Sequence, residues 1–242
     1  MTRASRETGA KRTVARRRPA RAAAERPVAR RPAGDSHYHH GDLHVALLAA
    51  AERVLERDGL PGLTWRAVAR EAGVSHAAPT HHFGDLSGLL SELAAIGFRR
   101  FNEAMIAAGE SETMPLMKAL ARAKAYVAYA QAQPGMYGLM FRTERLDMAR
   151  PSLHAAATAS FEGLATAVSL SRNETRSGEP LETLSLEHAA AIARAWSLVH
   201  GFTMLLLDGR LHDILHRLPE GTGVEELLDA MLRSTVPRPP AG

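Results

Sequence analysis

The sequence predicts an all-α protein, and three observations carry that prediction. From Leu43 onward, apolar residues recur at the three- and four-residue spacing of a helix face. No stretch keeps the strict alternation of a half-buried strand. Aromatic residues make up only 5% of the chain, few for a large sheet, which packs best with aromatic and β-branched side chains.

A chain of 242 residues fits one large domain or two small ones and is long enough to bury a core. With 45% hydrophobic and 23% charged residues it has the composition of a soluble globular protein. The absence of cysteine removes disulfides, thiolate metal sites and cysteine nucleophiles together, and suits a reducing compartment. No continuous apolar run reaches the roughly 18 residues that cross a bilayer. The longest candidate, 195–207, is interrupted by Ser197, His200 and Thr203. The basic N-terminus has no apolar segment behind it, so it does not read as a secretory signal. A cytoplasmic protein without a membrane partner is expected.

Charge is unevenly placed. Residues 1–34 hold eleven Lys or Arg against two Glu, while the whole chain carries +4, which leaves residues 35–242 at −5. The segment includes Lys11-Arg12, Arg16-Arg17-Arg18, Pro19, Pro27 and Pro32 and almost no large apolar residue, so residues 1–36 read as a disordered basic tail. Its natural partner is a polyanion, because each phosphate neutralised by Arg releases condensed counterion. The plainer reading is a solubilising extension.

The first helix is expected over 42–58, with Leu43, Ala46, Leu47, Ala50, Val54 and Leu55 on one face. Gly59 can take the left-handed conformation that stops it, and Pro61 prevents continuation. Thr64 is placed to cap a short helix over 65–72, closed by Gly73. Ser75 is placed to cap a third over 76–83, and Asp85 opens a fourth that carries Leu86, Leu89, Leu90 and Leu93 inward as far as about 108. After a turn-rich stretch at 109–113, helices are expected over 114–133, 136–141 and 152–170. An exposed loop at 171–180 precedes helices over 183–208 and 224–234.

Two short helices form a compact pair only if a small residue lies where they cross and a residue tolerant of positive φ makes the turn. Ala69 and Gly73 meet those needs, while Val68, Ala72 and Val74 turn apolar groups toward the first helix. On the third helix, His76, Ala77, Ala78, Thr80 and His81 are small or hydrogen-bonding, which lets a helix approach a DNA groove. This pattern reads as a helix-turn-helix.

The segment 41–90, with T-W-R-A-V-A-R-E-A-G-V-S-H-A-A-P-T-H-H-F-G-D-L-S-G-L-L, resembles the DNA-binding domain of TetR/AcrR-type regulators. The lead-in Y-H-H-G-D-L at 38–43 is similar to a subgroup whose C-terminal region is named for a Trp-His-Gly signature. Trp196, His200 and Gly201 match that signature, and Pro134, Tyr137, Leu139, Met140 and Phe141 resemble the same region's earlier motif. The resemblance implies a three-helix DNA-binding domain over 37–90 and a helical effector-binding and dimerisation domain over 91–237. It implies that Thr64, Trp65 and Arg66 meet phosphates, and that Ser75, His76, Ala77, Ala78, Thr80 and His81 face the major groove or its flanking backbone. One departure stands out: the family usually has Tyr where this chain has Thr80, and a shorter hydroxyl gives up reach. Pro79 falls just inside the first helical turn, where it is tolerated and where the subgroup accepts it.

Other residues admit a plainer role. Phe83 reads as a core plug, and Trp65 as either a phosphate contact through its indole N–H or a packing residue. Adjacent His81 and His82 face different ways, His81 outward and His82 inward. His37, His39, His40 and His44 match no metal-ligand spacing, so no metal is expected.

In the helix over 183–208, Ile192, Trp196, Val199, Thr203 and Leu206 form one stripe, and Ala195, Leu198, Phe202 and Leu205 another. A helix apolar on two sides is buried on two sides, one against its own domain and one against a second subunit of a two-fold dimer. The family resemblance adds the helix over 224–234 to that interface, and implies a small-molecule pocket. Candidates to line it are Met136, Tyr137, Met140, Phe141, Phe161, Trp196 and His200, each equally readable as plain core. The function expected is a sequence-specific transcriptional regulator, a repressor released from a palindromic operator by a small, largely apolar effector. The alternative is a helical enzyme or small-molecule carrier with an incidental basic tail. An enzyme is disfavoured, since no nucleophile, base and orienting group gather on a recognisable motif and no glycine-rich phosphate loop occurs. No cofactor is expected.

Overall fold

In a computed structural model, the residues described are 40–75, 77–141, 143–172 and 184–234. Among them there are helices and turns and no strand. The basic segment 1–36, His37, His39, His76 and Thr183 lie outside them.

The chain folds into α1 (His40–Gly62), α2 (Trp65–Ala72), α3 (Ala78–Phe83), α4 (Leu86–Glu110), α5 (Pro115–Ala132), α6 (Pro134–Met140), α7 (Pro151–Ser171), α8 (Leu186–Leu207), α9 (His212–Leu215) and α10 (Val224–Ser234). A 3₁₀ turn, Thr143–Arg145, follows α6. Helix α4 packs on α5 and α7, and α1 packs on α2 and α6. One apolar cluster runs from Leu47 and Leu55 of α1 through Leu89 and Leu93 of α4 to Leu228 and Leu232 of α10. A second, smaller one joins Ala165 and Val168 of α7 to Ala191 and Ile192 of α8.

Several boundaries differ from those read in the sequence. At Gly59 the backbone takes φ 67 and ψ −177, a region open essentially only to glycine and distinct from the left-handed helical one. The chain then makes one further turn, Leu60–Gly62, in which Pro61 sits without disrupting a preceding hydrogen bond. Helix α3 starts at Ala78 with Ala77 as its N-cap and no side-chain cap, so Ser75 does not cap it. The reason is Pro79, whose fixed φ sets the first helical turn and whose missing N–H needs no partner there. Pro134 likewise starts α6, two residues earlier than expected. Helix α8 is capped by Ser185, which accepts from His188 N at 3.2 Å. Helix α9 and the 3₁₀ turn are additional to the expected elements.

By length and composition, α8 could also cross a membrane, with a mean hydropathy of 1.4 over its most apolar stretch. Core helices of soluble proteins reach the same average, and Ser197, His200 and Thr203 still interrupt any unbroken apolar run. Ala191, Ile192, Val199, Phe202 and Thr203 are buried against the rest of the protein.

Candidate nucleic-acid interface and aromatic centre

The helix-turn-helix is closed by local hydrogen bonds. Thr64 Oγ1 accepts from Ala67 N at 3.3 Å, satisfying one of the orphan amides at the start of α2. At the far end Gly73 takes φ 69 and ψ 28, Val74 N bonds Ala69 O at 3.0 Å and Gly73 N bonds Arg70 O at 3.2 Å. That pair of bonds is a Schellman closure, which turns the chain out of α2 toward α3. Val68 and Ala69 are fully buried beneath the crossing. Arg53 and Arg57 of α1 each hold Glu71 of α2 at 2.9 Å on the solvent side.

Helix α3 has two faces. Pro79 and Phe83 are buried, whereas Thr80 and His81 are exposed. His82 is half-buried and, with Phe83, forms a ring cluster with His44 of α1, whose centroid lies 4.6 Å from Phe83. Phe83 is therefore core. Ser75 and Ala77 are exposed at the entrance to α3, Ala78 opens the helix, and His76 and the side chain of Ala78 lie outside the described residues. On α2, Thr64 and Arg66 are exposed, while Trp65 is half-buried and packs against the core.

The residues read as a pocket lining divide into two groups. Met136, Tyr137 and Met140 of α6 are buried, and Phe141 and His200 are half-buried beside them. Tyr137 Oη lies 2.7 Å from His200 Nδ1 and 3.0 Å from Tyr126 Oη, and Tyr126 Oη lies 2.9 Å from the same Nδ1. Phe141 is 4.8 Å from both the Tyr137 and the His200 rings, and Phe98 meets Phe141 edge-on at 5.8 Å. Trp196 reaches His200 edge-on at 6.2 Å but is 42% exposed, and Phe161 of α7 is 37% exposed. Among the described residues no ring contact joins Phe161 to the others.

Three polar atoms thus converge inside an apolar shell. An unprotonated Nδ1 has one lone pair and accepts from one phenol, so the other phenol donates to its neighbour's oxygen. Burial pushes Tyr126 up to about 12 and raises Tyr137 further, so both stay neutral donors, and burial lowers His200. Tyr126 was not among the residues singled out in the sequence. Its signal was the pair Tyr126 and Tyr129, three apart on one face of α5, where aromatic residues are otherwise scarce. Tyr129 Oη instead donates to Gly97 O at 3.1 Å.

Two family models match the chain. The bacterial regulatory proteins of the tetR family match residues 47–93, and the tetracyclin repressor-like C-terminal domain matches residues 119–235. No curated protein matches the chain. Among solved structures, a protein of unknown function from Rhodococcus sp. RHA1 is 33% identical, with a TM-score of 0.64 over 83% of this chain and 98% of that one. The transcriptional regulator FadR from Bacillus subtilis, in complex with stearoyl-CoA, is 13% identical, with a TM-score of 0.55 over 78% and 96%. A TetR-like transcriptional regulator, also from Rhodococcus sp. RHA1, is 16% identical, with a TM-score of 0.53 over 80% and 94%. With a helix-turn-helix at one end and a matching helical domain behind it, this chain belongs to the TetR family of DNA-binding transcriptional regulators.

Proposed function

We propose that the chain is a homodimeric repressor that binds a palindromic operator and is released by a small, largely apolar effector. The observation that carries this reading is the exposed face of α3, where Thr80 and His81 stand free while Pro79 and Phe83 are buried behind them. On this reading residues 37–90 are the reading head and residues 91–237 the effector and dimerisation region. Ser75, His76, Ala77, Ala78, Thr80 and His81 enter or border the major groove. Thr64, Trp65 and Arg66 meet backbone phosphates, with Thr64 and the N-terminus of α2 supplying hydrogen-bond donors. The arginines of residues 1–36 add phosphate contacts whose strength falls with salt.

The effector would enter among Tyr126, Met136, Tyr137, Met140, Phe141 and His200, with Trp196 and Phe161 at the exposed margin. Flat apolar walls with a few converging polar atoms suit an apolar or aromatic compound bearing one or two polar groups. Release requires that the effector bind better to the arrangement that does not fit the operator. The second copy is proposed to cover the exposed face of α8, on which Leu186 is 85% exposed, together with α10.

Selection from random duplexes tests the DNA reading, using the full chain beside a Thr80→Ala, His81→Ala double variant. Enrichment of an inverted repeat that the variant fails to enrich supports it. An unchanged sequence in the variant would place recognition elsewhere.

A further inference from the structure

Three residues of the connection between α6 and α7 bond to the N-terminal helices, one to α1, one to α4 and one to both α4 and the end of α3. Arg145 Nη1 donates to Leu60 O, in the extra turn at the end of α1, at 3.2 Å. Asp147 N donates at 2.8 Å to Oγ of Ser91, a fully buried serine that itself donates to Ser87 O within α4. Arg150, the residue before α7, donates through Nε to Glu92 Oε1 at 2.7 Å and reaches Phe83 O through Nη1 at 3.4 Å. Phe83 is the last residue of α3, so its carbonyl is one of the acceptors that the helix leaves without an internal donor.

The first turn of α4 is shaped around that contact. A Cβ built at Gly88 would stand 2.1 Å from Phe83 O and 2.7 Å from Arg150 Nη1, so only glycine lets the end of α3 and the guanidinium meet there. The Glu92–Arg150 pair is largely shielded, with side-chain exposures of 19% and 23%. Burial alone would raise the Glu92 carboxyl, but the bond from Arg150 and nearby positive charge bring it below its usual value. Glu92 therefore holds the guanidinium in place. At its other end the same connection begins beside Phe141, whose ring packs at a tilt against His200 and Tyr137.

We infer that Arg150, some seventy residues beyond the helix-turn-helix, is a positioning residue for DNA reading. It holds the C-terminal end of the recognition helix α3 against α4 and ties that end to the region of the aromatic centre. The inference rests on the proposed DNA reading, and it makes the α6–α7 connection a direct strut between the two parts of the molecule.

The test compares the full chain with Arg150→Met, Arg150→Lys, and Arg150→Met with Glu92→Gln, which removes the carboxylate left unpaired. Amide hydrogen exchange of α3, from Thr80 to Gly84, needs no operator. It is expected to quicken about tenfold in both Met variants while buried amides of α1 hold their rates. Affinity for the selected operator is expected to fall about tenfold in both, with binding to an unrelated duplex of equal length changed less than about twofold. Arg150→Lys, which keeps the charge, is expected to recover part of the loss. Unchanged exchange in α3 would overturn the inference whatever the DNA result. Faster exchange with an unchanged ratio of specific to nonspecific affinity would also overturn it, by making Arg150 a purely structural tie. A wild-type chain that enriches no sequence would defeat the DNA reading instead, and the exchange arm would still decide the strut.

Discussion

Tyr137 of α6 and His200 of α8 meet at 2.7 Å, phenol oxygen to Nδ1. Sixty-three residues separate them in sequence, and Tyr137 has no solvent exposure. The contact makes the imidazole's protonation state part of the fold. Burial holds His200 below its ordinary 6.5, because the imidazolium is poorly solvated there. The unfolded chain therefore takes up this proton at higher pH than the folded chain does. The contribution that His200 makes is fully present above pH 6.5 and is lost as pH falls from there through its folded-state value. Replacing His200 by Gln keeps an acceptor and removes the titration. Urea midpoints measured from pH 8 to pH 5 should fall more steeply for the wild type than for His200→Gln. Parallel profiles would mean that His200 is not held neutral by burial.

Gly88 is expected to be intolerant of even a methyl group. The obstruction at 2.1 Å is a backbone carbonyl, which cannot rotate aside as a side chain would. Gly88→Ala should cost about 3 kcal/mol, at the upper end of ordinary overpacking. The denaturation midpoint reads this directly. Gly138→Ala provides the control, since nothing lies within 4 Å of its added Cβ.

How much of this was legible in the sequence depended on whether the signal was local. The α2 closure was legible in Thr64, Ala69 and Gly73, because caps and positive-φ turns are set by neighbours a few residues away. The same logic misplaced the start of α3, where Pro79 outweighed Ser75. That adjacent His81 and His82 face different ways followed from helical geometry, and His81 is exposed while His82 is half-buried. Arg150 carried no such local mark, and the pair Tyr126 and Tyr129 marked a face of α5 without naming its partners. Each matters through partners far along the chain, Tyr126 through Tyr137 and His200, and Arg150 through Phe83 and Glu92. Periodicity reports which face of a helix is apolar, not which distant polar atom it meets.

The two serine/threonine positions read as caps should now behave differently. Thr64→Ala removes the acceptor for Ala67 N and is expected to cost about 1 kcal/mol, with Thr64→Ser recovering most of it. Ser75→Ala should change stability by less than about 0.5 kcal/mol, because Ser75 is exposed and does not cap α3. Equal losses at both sites in thermal melts would show that Ser75 does stabilise the turn.

The exposed face of α8 gives the sharpest test of assembly. Leu186, Ala190, Ala193, Ser197, Gly201 and Met204 follow one another at spacings of three and four residues, so they line one side of the helix. All are exposed except Gly201, which is half-exposed, and a Cβ built on Gly201 meets nothing within 4 Å. Gly201→Glu therefore fits the single chain, and trading Gly for a better helix former should, if anything, stabilise α8 by about 0.5 kcal/mol. In a two-fold dimer built on this face, the new carboxylate would be buried opposite its own copy or against apolar side chains. Either placement opposes association, so the dimer dissociation constant should rise at least about tenfold, roughly 1.4 kcal/mol. Sedimentation equilibrium at several concentrations measures that constant, and circular dichroism checks that helicity is kept. A helical variant that remains as dimeric as the wild type would move the interface off α8.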